Sequence, residues 1–468
     1  MPIKKLLKSF FREDSMKRPV PTQAESPFGF DEFFFSTTDK RGVIRYGNDV
    51  FVRVSVYPKE SMLGAPHSLI RHPDMPRAVF KEFWSFLNQG KAVGAYVKNL
   101  AGNGSYYWVY AFAFPIGDGY LSVRFKPSSE LFSVVQGLYK EVLAYEQQEH
   151  SLEESHRHLL LKIQEAGFPD YESFMMKAVM EELKARAAQV LASESRSSGA
   201  TGASQITAVT NSTTRKLNDV FDKLRDFQGA NQSLESAMGR LDQGFQQLKF
   251  ISINMKIAAA KFGEMAASLG VVSHEFSVLS GTIEKHLGGL SGFVEELSSV
   301  IQKCVLRAAA LNVQMLMVDF FVRESIAKLA TSENAFDEML QNQKAFSDLF
   351  AQYCQNLDKE FSELKKSLSA ISYEMLEVAK FVTGLEVVRQ MGAIESARTT
   401  EIRNSFTHYL EAMDDFIQLL RESTGEIGRG VTSLASNSEF IVSSIRNISG
   451  NVDQIFALAS SQEQQKAG

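Results

Sequence analysis

The residues of this chain whose types and spacing suggest chemistry gather in one short run. Pro66-His67 is followed by Arg71-His72-Pro73-Asp74-Met75-Pro76, which sets two imidazoles, a guanidinium and a carboxylate close together among prolines. Elsewhere the signals are weak. His274, His286 and His408 are scattered, and the C-terminal half offers no nucleophile with a convergent base, so no catalytic residue is assigned. Cys304 and Cys354 are the only cysteines, both in helical patterns and far from any histidine cluster, so neither a disulfide framework nor a metal site is expected. No Gly-rich dinucleotide fingerprint is present, which argues against Rossmann-type binding.

The elements around that run read as a small mixed sheet with helices, between Phe28 and Pro127. Phe33 to Thr38 is rich in β-favouring residues, Asp39-Lys40-Arg41-Gly42 supplies turn chemistry, and Val43 to Tyr46 resumes a strand. Asn48 to Ser61 reads as short helices, and Arg77 to Gln89 as an amphipathic helix carrying Val79, Phe80, Phe83, Trp84 and Leu87 and ended by Gly90. Three strands complete the sheet: Ala95 to Asn99, Tyr106 to Phe114 and Tyr120 to Phe125, with turns at Gly102-Asn103-Gly104 and Gly117-Asp118-Gly119.

Across residues 31 to 126 the sequence resembles the PAS domain of bacterial aerotaxis receptors, redox sensors that hold FAD non-covalently. The resemblance is carried by Ser36-Thr37-Thr38-Asp39, Asn48 with Phe51, Val54-Ser55 with Tyr57, the run Gly64 to Pro76 (GAPHSLIRHPDMP), Trp84, Lys98-Asn99, Asn103-Gly104 and Tyr107-Trp108-Val109. It implies an FAD site with Arg71, His72 and Asp74 on the helix bordering the cofactor and Asn48 and Trp84 as further pocket residues. Arg71 would meet phosphate and Trp84 would stack. Each residue also has an ordinary reading: Asn48 as a helix cap, Trp84 as core, the prolines around His72 as loop-shaping. Haem is the competing cofactor, with His67 or His72 as axial ligand. One departure stands out, because the family has Gly between the Ser and Tyr of the early helix and this chain has Val56, a change expected to alter pocket width.

After Ser128 the sheet pattern stops. Leu131, Val134, Val135, Leu138, Val142 and Leu143 open a helical connector that runs to Ala192, interrupted at Gly167-Phe168-Pro169-Asp170; Ser193 to Ser204 reads as a flexible linker. From Asp170 to the C-terminus there is no proline, although the 468 residues hold 11 of them, so this part is free to be almost wholly helical. Leu234, Met238, Leu241, Phe245 and Leu248, and later Ile441, Ile445, Ile448, Val452 and Ile455, form stripes that need partner helices. The expected fold is a multidomain α+β chain: a basic tail (1–27), a PAS domain (28–127), a connector (128–192), a linker (193–204) and an antiparallel all-α bundle or coiled coil (205–462), with one irregular coiled-coil dimer as the alternative to a bundle within one chain.

Ile251 to Phe276 resembles the signalling tip of methyl-accepting chemotaxis proteins through Asn254, Ile257, Ala259-Ala260, Lys261, Gly263-Glu264, Val271-Val272 and Glu275. The match is degraded: Ala267-Ser268-Leu269-Gly270 replaces the family's Gly-Arg-Gly-Phe, and Ala258 an acidic residue. A single hairpin would leave its second arm over three times longer than its first, so breaks are expected at Thr331-Ser332-Glu333-Asn334 and at Thr399 to Glu401, giving two tandem hairpins. Gly288-Gly289 and Gly292 form a candidate hinge, and Glu295-Glu296 a solvated charged face. The resemblance implies a sensor and transducer of the aerotaxis type, with the chemotaxis histidine kinase and coupling protein as partners; the alternative is a PAS scaffold that no longer couples to the kinase.

The charge balance of −5 gives no reason to expect nucleic acid. Residues 1–20 are locally basic, with Lys4, Lys5, Lys8, Arg12, Lys17 and Arg18 against Glu13 and Asp14, which suits weak contact with an anionic membrane surface or a solvated tail. No stretch offers the roughly 18 uninterrupted apolar residues of a membrane span, and Val305 to Val322 is broken by Arg307, Asn312, Gln314 and Asp319. A cytoplasmic protein is expected.

Overall fold

The computed structural model describes residues 18–194, 205–328 and 335–467. The tail before Arg18, most of the expected linker and the expected turn at Thr331 to Asn334 lie outside the described residues. Two compact units are present: Met1–Ser212, Asn312–Phe350 and Asn451–Gly468 form the first, and Thr213–Leu311 with Ala351–Gly450 the second.

In the first unit, β1 (Phe34–Asp39), β2 (Ile44–Gly47), β3 (Val93–Leu100), β4 (Tyr106–Ile116) and β5 (Gly119–Phe125) build one antiparallel sheet in the order β2-β1-β5-β4-β3. The register pairs Ser36 with Ser122 and Ala111 with Arg124. Strand alternation then separates two faces. Ala111 and Ala113 leave room on one, while Tyr110, Phe112 and Phe114 fill the other and are buried. The open face is covered by α1 (Asp49–Ser55), α2 (Lys59–Met62), a 3₁₀ turn (His67–Ile70) and α3 (Arg77–Asn88).

Helices α4 (Glu130–Glu146), α5 (Leu152–Glu165) and α6 (Tyr171–Glu194) follow the sheet. The break before α6 falls at the Gly-Phe-Pro-Asp sequence as expected, with Gly167 at φ +93°. The break before α5 has its own signature in a capping box, Ser151 with Glu154. Helix α6 packs on the filled face of the sheet: Tyr171 donates to the Gly94 carbonyl and Tyr110 to the Met175 carbonyl. Fully buried Glu182 accepts from the Tyr96 hydroxyl at 2.9 Å, the Ser129 hydroxyl at 2.5 Å and the Ser128 and Ser129 amides at 2.7 and 3.2 Å. One carboxylate thus satisfies the start of α4 and a buried strand tyrosine together.

Val56 ends α1 at φ 56°, ψ 27°, in the left-handed region that a β-branched side chain enters only under strain. Its side chain is exposed and does not line the cavity described below, so the replacement of the family's glycine changes backbone strain rather than pocket width. Val56→Gly is expected to stabilise the first unit by about 1 kcal/mol, the relieved strain exceeding the added chain entropy. Slower hydrogen exchange across residues 49–57 would register the gain, and an unchanged or faster rate would contradict it.

The second unit is helical, drawn from α7 (Gln205–Lys261), α8 (Ala267–Lys328), α9 (Ala335–Ser396) and α10 (Thr400–Ile448). Lys249 meets Glu284 and Lys256 meets Ser277, so α7 and α8 run antiparallel around the turn at Gly263–Ala266. His286 meets Glu374 and Arg307 meets Glu360 between α8 and α9; Arg389 meets Asp414 between α9 and α10; Phe245 meets Phe416 between α7 and α10. These contacts make an antiparallel four-helix bundle from one chain. The break near Thr399 is capped by its hydroxyl, which accepts from the Ile402 amide. Gly288, Gly289 and Gly292 lie inside continuous α8, without a break there, and Glu295 and Glu296 are exposed. A last helix, α11 (Asn451–Ala467), returns to the first unit. One described helix is long and apolar enough by composition to cross a membrane, the segment Gly263–Lys328, and 72% of its apolar stretch is buried within the protein.

Candidate functional site

A cavity of about 320 Å³ opens between the sheet and α3 in the first unit, within the size range of small-molecule sites. Its floor is the open face of the sheet: Thr38, Val97, Asn99, Ala111, Ala113, Ser122 and Arg124. Helix α3 supplies an aromatic wall. Phe80, Phe83, Trp84 and Leu87 recur at helical spacing and face inward, while Glu146 of α4 caps the helix by accepting from the Arg77 and Ala78 amides at 2.9 and 2.8 Å. Gly42 has φ +79°, and a Cβ there would come within 3.1 Å of the Trp84 ring, so the β1–β2 turn and the indole are fitted to each other.

Arg124 gives the site its electrostatic character. It is 3% exposed, donates through Nη2 to Ser36 Oγ at 3.0 Å and to His67 Nε2 at 2.6 Å, and lies over the Phe51 ring at 5.1 Å. Its Nη1 is buried with no hydrogen-bond partner among the described residues. Burial lowers its pKa from 12.5 to about 10. A desolvated guanidinium on a cavity floor whose hydrogen-bond partners are the neutral Ser36 and His67 is an acceptor-seeking group, since a buried charge without a counter-charge costs several kcal/mol, roughly.

His67 stacks on Phe51, with ring centroids 6.0 Å apart. Withdrawal from water, together with the Arg124 charge, holds its pKa well below the usual 6.5, so the ring is neutral and Nε2 accepts. The unfolded chain therefore takes up a proton as pH falls through about 6.5 and the folded site does not, so stability is full above that value and lost below it, by about 1.4 kcal/mol per pH unit for one such group. Denaturant unfolding at about pH 7 and about pH 5.5 measures this, and His67→Gln is expected to flatten the slope by about one proton; an equal slope in the variant would contradict it.

The sequence-predicted residues separate into two groups. Arg71 and Trp84 line the cavity, with the Arg71 guanidinium over the Phe80 ring at 4.8 Å and donating to the Met75 carbonyl at 2.8 Å. Asn48, His72 and Asp74 stand outside the wall. Asn48 is buried and caps α1: Oδ1 accepts from the Phe51 and Phe35 amides and Nδ2 donates to the Phe33 carbonyl. His72 is buried and Nδ1 accepts from the Asp74 amide, while Asp74 pairs with Lys98 at 2.6 Å beside it. His72 and Asp74 thus shape the loop between the 3₁₀ turn and α3. The sequence reading passed over Arg124, Asn99 and Arg41 as cavity residues. A signal for Arg124 was available: Tyr120, Ser122 and Arg124 alternate with Leu121, Val123 and Phe125, and polar alternation in a strand paired on both sides marks a face that stays open.

Residues 44–122 match the family model described as the PAS fold. Over 127 residues the chain is 40% identical to the aerotaxis receptor of Escherichia coli (strain K12), a stretch equal to 26% of this chain and 25% of that protein. The chain therefore spans about a quarter of the curated relative it matches. Among solved structures it is similar to the PAS domain of a protein from Colwellia psychrerythraea, at 24% identity and TM-score 0.19 over 21% of this chain and 86% of that one. It is also similar to a light-oxygen-voltage domain, at 22% identity and TM-score 0.20 over 25% of this chain and 87% of that one. The strand order, the cavity between sheet and helices and the matched sequence together identify residues 44–122 as a PAS domain similar to that of the aerotaxis receptor.

Proposed function

We propose that this chain is a redox sensor and signal transducer of the aerotaxis type, in which the PAS cavity holds a flavin, FAD by the resemblance, that controls the helical region. The observation that carries this reading is Arg124, a buried cation on the floor of a cavity whose wall is aromatic. A flavin ring offers a flat apolar body for Phe80, Phe83 and Trp84 and carbonyl oxygens for Arg124 and Asn99; Arg71 and Arg41 at the same cavity suit its phosphates. A bound flavin supplies a change of charge and hydrogen bonding with oxidation state. Arg124 would answer that change through Ser36 and His67, and the sheet and helices through Arg124. Haem is served less well, because His67 Nε2 is already engaged by Arg124 at 2.6 Å and His72 does not line the cavity.

The purified chain is expected to show the absorption of an oxidised flavin, bleached by dithionite. A chain that stays colourless after incubation with excess FAD or haem would overturn the reading. For output we propose coupling to the chemotaxis histidine kinase and its coupling protein through the tip around Gly263–Ala266, where Phe250, Ile253, Ile257, Met265 and Val271 are exposed in the second unit. Co-purification with the coupling protein, lost in Ile257→Glu, supports that route; its absence favours a cytoplasmic scaffold for another partner.

A further inference from the structure

A second helix reaches the PAS domain from far along the chain. Within the first unit, Glu324 of α8 accepts from Asn48 Nδ2 at 3.3 Å and from the Asp49 amide at 3.2 Å, a contact across 276 residues of sequence. Lys328 closes the group, 2.7 Å from Asp49 and 3.9 Å from Glu324. Burial raises the Glu324 pKa above its usual value. Phe320 packs against Phe33 with centroids 6.0 Å apart, and Phe321 against Phe35 at 5.2 Å and Tyr46 at 6.5 Å. The end of α8 is therefore seated on the start of α1 and on β1 and β2.

Helix α1 and β1 also reach the cavity's floor and rim residues Arg124 and His67. Phe51 of α1 lies over both the Arg124 guanidinium and the His67 ring, and Ser36 of β1 accepts from Arg124. Asn48 links the first turn of α1 to α8: it accepts from the Phe51 amide and donates to Glu324. Three side chains thus connect the cavity floor to α8, in the order Arg124, Phe51, Asn48.

We infer that the α8 segment 320–328 is the receiver of the cavity's state, with α1 as the moving part between them. The inference rests on the ligand-sensing reading for its purpose, but the coupling is a property of the chain alone. An α-helix transmits a displacement along its axis because its backbone hydrogen bonds hold it as a unit, whereas the covalent route after β5 is clamped by Glu182 at Ser128 and Ser129.

Hydrogen exchange of the full chain tests it, with or without bound flavin, so a colourless preparation would sink the flavin reading and not this one. In Arg124→Gln, exchange over residues 316–328 is expected to quicken by about tenfold while residues 152–165, on the same unit, hold their rate. Phe51→Leu, a milder change, is expected to act in the same direction and serves if the first variant does not fold. Unchanged exchange over 316–328, or an equal rise over 152–165, overturns the inference.

Discussion

Glu182→Ala is expected to destabilise the first unit by about 3–5 kcal/mol, the range for stripping a buried hydrogen-bonded charge from its partners. The magnitude follows from what is left behind. Tyr96 and Ser129 lose hydroxyl acceptors, and the Ser128 and Ser129 amides lose theirs, with Tyr96 and Ser129 buried and Ser128 half-buried. Tyr96 is already strongly disfavoured from ionising by burial and by the Glu182 charge, so it cannot compensate by changing protonation state. Glu182→Gln keeps one acceptor oxygen and presents an NH₂ to the remaining donors, so a smaller loss of about 2 kcal/mol is expected. Denaturant unfolding followed by tyrosine near-ultraviolet dichroism measures both variants. A loss below about 1 kcal/mol for the alanine variant would show that water reaches these groups.

Arg124→Met separates the cavity's purpose from its architecture. Without ligand, the variant removes a desolvated cation but leaves Ser36 and His67 without their donor, two effects of opposite sign. The ligand-free chain is therefore expected to change stability by no more than about 1–2 kcal/mol. On the proposed flavin reading, affinity for FAD is expected to fall by about 10- to 100-fold, the loss of a charge-assisted hydrogen bond of roughly 1.5–3 kcal/mol. Titration with FAD, read by quenching of flavin fluorescence, measures the second quantity. Affinity equal to the parent's would remove Arg124 from the binding role.

Local pattern accounts for much of the PAS domain. The Tyr-Ala-Phe-Ala-Phe run of β4 announces both a strand and its two unequal faces, because period-two alternation puts Ala111 and Ala113 on the side that stays open. Phe80, Phe83, Trp84 and Leu87 announce an amphipathic helix, and that stripe is the cavity wall. The absence of proline after Pro169 left the remainder free to form the long helices observed. The roles within the Pro66 to Pro76 run were not legible in the same way. His67 and Arg71 reach the cavity and His72 and Asp74 do not, since a 3₁₀ turn and a following loop decide direction residue by residue, without a periodicity to follow.

Composition and hydrophobic spacing by themselves determined that this protein has a sheet-and-helix module followed by helices that must bury a stripe against one another. Tertiary structure alone decided which distant groups meet: Arg124 beneath Phe51 and beside His67, Glu182 under Tyr96 and Ser129, Glu324 at the start of α1. The physical reason is that periodicity records only whether a position faces water or core, whereas a buried charge is stable only where the folded chain brings it donors or acceptors, and those come from segments with no sequence relation to it.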